Sequence, residues 1–309
     1  MPIREFPVSR TPAALAVLEA YAASPQSWPS PPVRPAATVM LLREGPSGLE
    51  VFMQRRVASM EFAPRRHVFP GGGVDAGDAA ADIPWVGPSA EEWAQVLAVP
   101  VDEARALVVA AIRELFEECG VLLASVPGVP SAGVAGDAEV VGSAGVVGGA
   151  GVGRVASLDP DALEAWRGSE WAAARRAIAR RERSFAEFLS SAGLVARTDL
   201  LGYYARWVTP EIEPRRYDTH FFTAMMPTGQ RADAATSEAQ SAGWVVPAAM
   251  LAAATTGTAL LMPPTVIALE AVAGATQAAE LVGRRERVPL IRTIPARTPT
   301  GWVMQAVIP

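Results

Sequence analysis

Apolar positions fall into two periods along the chain. Residues 37–43 (ATVMLLR) and 49–55 (LEVFMQR) are rich in β-formers and flank the turn-forming segment 44–48 (EGPSG), a pattern that predicts a hairpin. Residues 203–208, 217–225 and 242–246 predict further strands. Helical spacing appears first at 11–22, opened by Thr11 and Pro12, before a Pro-rich linker at 24–35. Ser89 followed by Glu92 predicts a capping box for a short helix to Leu97, and Pro100 separates it from a longer helix over 102–119 that ends at Gly120. One or two amphipathic helices are expected over 159–191, with Trp166, Trp171, Phe185 and Phe188 packed and an Arg-rich face solvated. A last helix is expected over 263–273, with Pro at its start.

Two segments lack either period. Residues 62–78 (FAPRRHVFPGGGVDAGD) are dense in Gly and Pro and read as a tight, specifically folded loop without regular elements. Residues 125–157 are almost wholly Gly, Ala, Val, Ser and Pro, and read as a flexible insertion. Strands before and after a central helix point to an α+β fold rather than an alternating parallel sheet.

The 309 residues, half of them hydrophobic, can bury a large core, which excludes a disordered tail or a disulfide scaffold. All 27 basic residues are Arg, with no Lys and no Asn anywhere, so an Arg here is weak evidence for a phosphate ligand. The net charge of −5 disfavours nonspecific contact with nucleic acid or an anionic membrane. The single Cys119 excludes an intrachain disulfide. The N-terminal residues lack the apolar core of a secretory signal and no apolar run is long enough to span a bilayer, so a cytoplasmic protein is expected.

Candidate chemistry concentrates in Arg113, Glu114, Leu115, Phe116, Glu117, Glu118, Cys119, Gly120 and Val121. At about 100° per residue, Glu118 lies within about 40° of Glu114, and Glu117 about 60° to its other side. Two carboxylates about 4 Å apart repel by roughly 4 kcal/mol at an effective dielectric near 20, so gathering them makes sense around a cation. Oxygen ligands without His or Cys suit Mg²⁺ or Mn²⁺. The alternative is a solvated acidic helix face. Upstream, Gly71, Gly72 and Gly73 precede Asp75 and Asp78, a flexible loop able to approach a phosphate.

Together these residues resemble the Nudix hydrolase superfamily, whose box runs Gly, five residues, Glu, seven residues, Arg-Glu-apolar-x-Glu-Glu-x-Gly-apolar. Arg113 to Val121 fits the second half without departure, and Gly72 with Asp78 five residues on fits the first, with Asp for Glu. Between the halves stand 34 residues, 79–112, rather than seven. Counting back by the family's unbroken spacing lands on Arg105, which cannot be a ligand.

An insertion inside the box, preceded by Phe69, Pro70, Gly71 and Gly72, resembles the branch of the peroxisomal coenzyme A diphosphatases and their bacterial relatives. Arg56 stands 13 residues before Phe69, as in that branch, while Glu61 and Arg65 replace its Arg and Gly. The runs 207–210, 216–219 and 221–222 also resemble it.

The resemblance implies a Nudix fold, a mixed sheet sandwiched by helices, over residues 36–275, with insertions at 79–104, 125–157 and 158–200. Residues 1–35 and 276–309 flank it. It implies a metal-dependent hydrolase of an organic pyrophosphate, with coenzyme A or an acyl-coenzyme A first in line. Nucleotide sugars, NADH, ADP-ribose and a catalytically silent binding module are the alternatives.

Glu114, Glu117 and Glu118 are the implied ligands of Mg²⁺ or Mn²⁺. Glu114 and Glu117 form the catalytic set with Arg113, which is expected to orient them by ion pairing. Arg56, Gly71, Gly72 and Asp78 are the expected substrate contacts, and Glu238 is expected near the pocket. A small-molecule diphosphate is the expected partner, and a homodimer is compatible with this reading. His67, His220, Cys119, Trp207 and Trp244 are read as structural, and Arg55, Arg65 and Arg66 as surface or phosphate contacts.

Overall fold

The computed structural model describes residues 2–60, 63–79, 83–128, 169–234, 236 and 239–309. The strands are β1 (Ile3–Pro7), β2 (Val33–Gly45), β3 (Gly48–Arg56), β4 (His67–Val68), β5 (Gly71–Gly73), β6 (Trp85–Val86) and β7 (Ala124–Ser125). They continue with β8 (Val195–Arg197), β9 (Gly202–Val208), β10 (Arg216–Met225), β11 (Ala239–Val245), β12 (Leu290–Arg292), β13 (Ile294–Thr298) and β14 (Gly301–Val307).

The main sheet runs β11-β3-β2-β10-β9-β12, with β4 added to β3 and β5 to β2. It is mixed: β10 is parallel to β2 and β12 to β9, whereas the hairpin β2–β3 and the pairs β10–β9 and β11–β3 are antiparallel. Strand β2 is buried on both faces and therefore reads as one apolar run rather than an alternation. Its Val39 and Leu41, with Phe52 of β3, pack on the helix α3, while Met40 and Leu42 pack on a helix across the sheet.

Helix α1 spans Pro12–Ala23, α2 Ala90–Leu97 and α3 Val101–Cys119. Ser89 and Glu92 form the expected capping box of α2, and α2 ends at Ala98 in the left-handed region, before Pro100. Gly120 closes α3 at φ 72°, where a side chain would cost about 1–2 kcal/mol. Two helices, α4 (Ser169–Ala179) and α5 (Phe185–Ala192), cover the outer side of α3, where Phe116 stacks on Phe188 and meets Trp171 edge-on. On the far face lie α6 (Pro247–Thr255), α7 (Pro263–Gly274) and α8 (Ala279–Val282), with Ala268 and Leu269 of α7 in the core. Helices thus cover both faces of a mixed sheet, the α+β arrangement expected.

The structure differs from the sequence reading in three places. Residues 62–78 are not a loop free of regular elements: β4 pairs with Gln54 and Arg55, and β5 pairs its glycines with residues 36–38. Such strands carry no side-chain period, because their backbone partners alone define them. Residues 1–35 and 276–309 also supply strands, since β1 and β13 flank β14 in a separate small sheet and β12 joins the main one. Third, Arg175 of α4 belongs to no solvated face, being 7% exposed. Most of the Gly-rich segment 125–157, Trp166, Glu61 and Glu238 lie outside the described residues. Among the described residues no helix is long and apolar enough to cross a membrane.

Candidate active site

The acidic end of α3 lies under the β5 loop, and Arg113 joins the two. The five N–H groups of its guanidinium make five hydrogen bonds. Nε and Nη2 fork onto Asp78 at 2.8 Å each, Nη2 also donates to the Gly73 carbonyl at 2.9 Å, and Nη1 donates to Glu114 at 2.8 Å and Glu117 at 2.9 Å. No donor is left for a substrate, so Arg113 positions the two glutamates, as its expected orienting role requires.

Asp78 does not have the expected substrate contact. Its side chain is 2% exposed, both oxygens are taken by Arg113, and one also accepts from the Asp75 backbone N–H at 2.7 Å. Asp78 is the anchor of Arg113 instead.

Glu118 is held from the sheet side. One of its oxygens accepts from Gln54 Nε2 and from the Gly71 backbone N–H, both at 2.9 Å. Gln54 was not singled out in the sequence, although a polar residue two along from Phe52 on a buried strand face was the available signal. Arg56 follows on that same face of β3, at the strand end opposite Ala239.

The glycines fit closely. A Cβ on Gly72 would lie 2.5 Å from Glu114 Oε1, so a side chain there would displace that carboxylate. A Cβ on Gly71 would run into the Ala37 carbonyl.

A second clamp fixes the end of the helix. Arg175 Nε donates to the Glu117 carbonyl at 2.8 Å and Nη1 to Asp233 at 2.7 Å, while the Asp233 N–H donates to the Cys119 carbonyl. Two otherwise unsatisfied carbonyls of the last turn are thereby bonded. Nothing in the sequence separated Arg175 from the neighbouring Arg residues of α4.

Crowding of acids in a desolvated place has the expected electrostatic result. Burial pushes the Glu114 carboxyl up to about 8, with Arg113 opposing the rise and Glu117 adding to it. Burial likewise raises Glu117 against the pull of Arg113. Burial works against the charge on Arg113, yet its bonds to Asp78 and the surrounding carboxylates hold it above the ordinary range.

Among the described residues no three Asp, Glu, His or Cys side chains are grouped so as to hold a metal ion as they stand. The donor set nevertheless suits a hard cation. Glu114 and Glu117 each keep one oxygen without a hydrogen bond from the described residues, Glu118 lies one residue on, and the Gly72 backbone closes over Glu114 where a Cβ would intrude.

The remaining candidates fall away from this cluster. Cys119 is buried with its Sγ donating to the Leu115 carbonyl, and burial raises its thiol, so it is no nucleophile. His220 lies in the core at 3.0 Å from the Tyr203 hydroxyl, and burial lowers it to about 4. His67 sits on β4. Trp207 is in the core, and Trp244 meets Phe52 edge-on beneath Arg43.

Known proteins carry similar chains. A family model described as the NUDT19 Nudix domain matches residues 84–272, more than half of the chain. The acyl-coenzyme A diphosphatase NUDT19 of Gallus gallus is 28% identical over 210 residues, which cover 60% of this chain and 50% of that protein. The chain therefore spans about half the length of that relative. A solved Nudix hydrolase from Alicyclobacillus acidocaldarius has a TM-score of 0.55 and 25% identity, covering 84% of this chain and 99% of that one.

Proposed function

The chain belongs to the Nudix hydrolases, in the family of the NUDT19 Nudix domain, and on that premise we propose that it hydrolyses the diphosphate of an organic pyrophosphate. Coenzyme A or an acyl-coenzyme A is the first substrate, on the strength of the NUDT19 relative and the Arg56 and Phe69 to Gly72 spacing.

The observation that carries the proposal is the charge imbalance around Arg113. Three carboxylates, Asp78, Glu114 and Glu117, share one guanidinium, and a fourth, Glu118, follows on the same helix, held by Gln54 and the Gly71 N–H. A diphosphate anion cannot approach such a cluster unless a cation offsets it. Glu114, Glu117 and Glu118 would hold Mg²⁺ or Mn²⁺ there, and what such a cation supplies is charge neutralisation and a more acidic water.

The protein's own groups do the rest. Arg113, anchored on Asp78, fixes Glu114 and Glu117. Gln54 and the Gly71 N–H fix Glu118. An unbonded oxygen of Glu114 or Glu117 that is not holding the cation would be free to take a proton from water, a contribution of about 10²–10⁴-fold.

The test is turnover of coenzyme A, acyl-coenzyme A, NADH, ADP-ribose and nucleotide sugars with and without Mg²⁺ or Mn²⁺, reading phosphate-ester products by mass. Metal-dependent cleavage of a coenzyme A compound is expected. Preference for another nucleoside diphosphate derivative would fit the Glu61 and Arg65 departures from the coenzyme A pattern. Folded protein that cleaves no diphosphate in the presence of metal would leave a binding module as the better reading.

A further inference from the structure

Arg65 occupies a costly conformation that the acidic cluster does not require. Its φ is 58°, in the left-handed region where glycine is the favoured residue and any side chain brings strain. Strain of this kind is held by the surrounding structure and gathers at functional sites.

Arg65 lines an open depression of about 380 Å³ together with Arg55, Val57, Ala58 and Gln240. This is at the small end of ligand cavities, which span about 300–1,000 Å³. His67 lies directly across from Arg55 in the β3–β4 pair. Arg55 Nε and His67 Nδ1 are both buried without a hydrogen-bond partner. Among the described residues no carboxylate pairs with Arg55 or Arg65. Two arginines and a glutamine thus line one depression, and guanidinium donor forks are of the kind that match phosphate oxygens. On β3, Arg55 alternates with Gln54 and so lies on the opposite face of the strand from the contact to Glu118.

We propose that this depression is an anion subsite that takes a phosphate group. The phosphate is either a phosphomonoester carried by the substrate away from its diphosphate or a free phosphate ion. The first source rests on the diphosphatase reading, whereas the subsite itself does not.

The experiment is calorimetric titration of the whole protein with adenosine 3′,5′-bisphosphate, adenosine 5′-monophosphate and inorganic phosphate, none of which contains a diphosphate. The bisphosphate is expected to bind at least about tenfold more tightly than the monophosphate, the weight of one charge-assisted hydrogen bond. Arg65→Gly should remove that advantage while the melting temperature stays or rises, because glycine relieves the backbone. Arg55→Gln should remove it as well.

If inorganic phosphate alone binds and loses about tenfold in Arg65→Gly, without a bisphosphate advantage, the site serves the free ion. Equal binding of all three probes by the wild type and both variants would overturn the subsite. Turnover of the diphosphate panel by the same preparations separates the two readings: intact Arg65-dependent binding without turnover sinks the diphosphatase, and turnover without such binding sinks the subsite.

Discussion

Two buried arginines show what marks the active region. Arg113 and Arg197 each fork through Nε and Nη2 onto one aspartate, Asp78 and Asp199, at 2.7–2.8 Å. Both pairs are almost wholly buried. The Arg197 fork spans two residues of sequence, and a second cation, Arg285, donates to the Asp199 carbonyl. The Arg113 fork spans 35 residues, and its remaining Nη1 donors carry Glu114 and Glu117. A fork on its own is structural; the surplus of acid is what asks for a cation and a reaction.

Substitutions can break this comparison. Arg113→Ala carries the largest expected effect, because Asp78 stays buried without its partner and both glutamates lose their restraint. A stability loss of about 3–5 kcal/mol in chemical denaturation should accompany loss of turnover. Arg197→Ala should cost similar stability but leave kcat of the folded fraction unchanged. If turnover of the folded Arg197→Ala protein collapses too, the distinction between the two forks is wrong.

Glu118→Gln is next. The amide oxygen can still accept from Gln54 and the Gly71 N–H, so the melting temperature should hardly move. Metal-dependent kcat should fall about 10²–10³-fold, an effect of roughly 3–4 kcal/mol on the barrier. Full turnover would remove Glu118 from the ligand set.

Stability of the metal-free protein should then vary with pH by a few kcal/mol. Glu114, raised to about 8 by burial, retains in the folded state a proton that the unfolded chain releases near 4.5. Its contribution is complete below 4.5 and is lost as pH rises through 8. His220, lowered to about 4 by burial, has the opposite sign: its contribution is complete above 6.5 and is lost as pH falls through 4. Between pH 6.5 and 8 the Glu114 slope should stand without opposition from His220, and Glu114→Gln should flatten it in a denaturation series. An unaltered slope in that variant would mean that the acid surplus is not what titrates.

The smallest effect belongs to Gly72→Ala. The added Cβ must displace Glu114, an overpacking cost of about 1–3 kcal/mol, with kcat falling while Arg197 and its partner are untouched. A crystal structure of the variant with Glu114 unmoved would refute the contact.

Much of this was legible in sequence wherever the signal is local. The α3 boundaries, its Gly120 end, the capping box at Ser89 and the β2–β3 hairpin follow from periodicity and caps within a few residues. The acidic stripe follows from the pitch of one helix. What remained hidden depends on partners far along the chain: Asp78 under Arg113, Gln54 beneath Glu118, Arg175 on the last turn of α3, and β14 between β1 and β13. A glutamine on a buried strand face signals that it has a partner without naming it, and one Arg among many carries no such mark. Asp78 was found by spacing but given the wrong task, because spacing does not tell a ligand from a counter-ion.

The Arg113–Asp78 fork also bears on how the chain tolerates 34 residues where the family pattern has seven. Closing a flexible loop costs about 0.6 kcal/mol for each doubling of length, so this lengthening adds about 1.4 kcal/mol of closure entropy. The folded helix α2 and the first turns of α3 lie within the loop and shorten its flexible part further. A buried pair whose rupture costs about 3–5 kcal/mol exceeds that penalty. In polymer terms the fork is a reversible crosslink, and segments between its two ends can grow or shrink without opening the junction they connect.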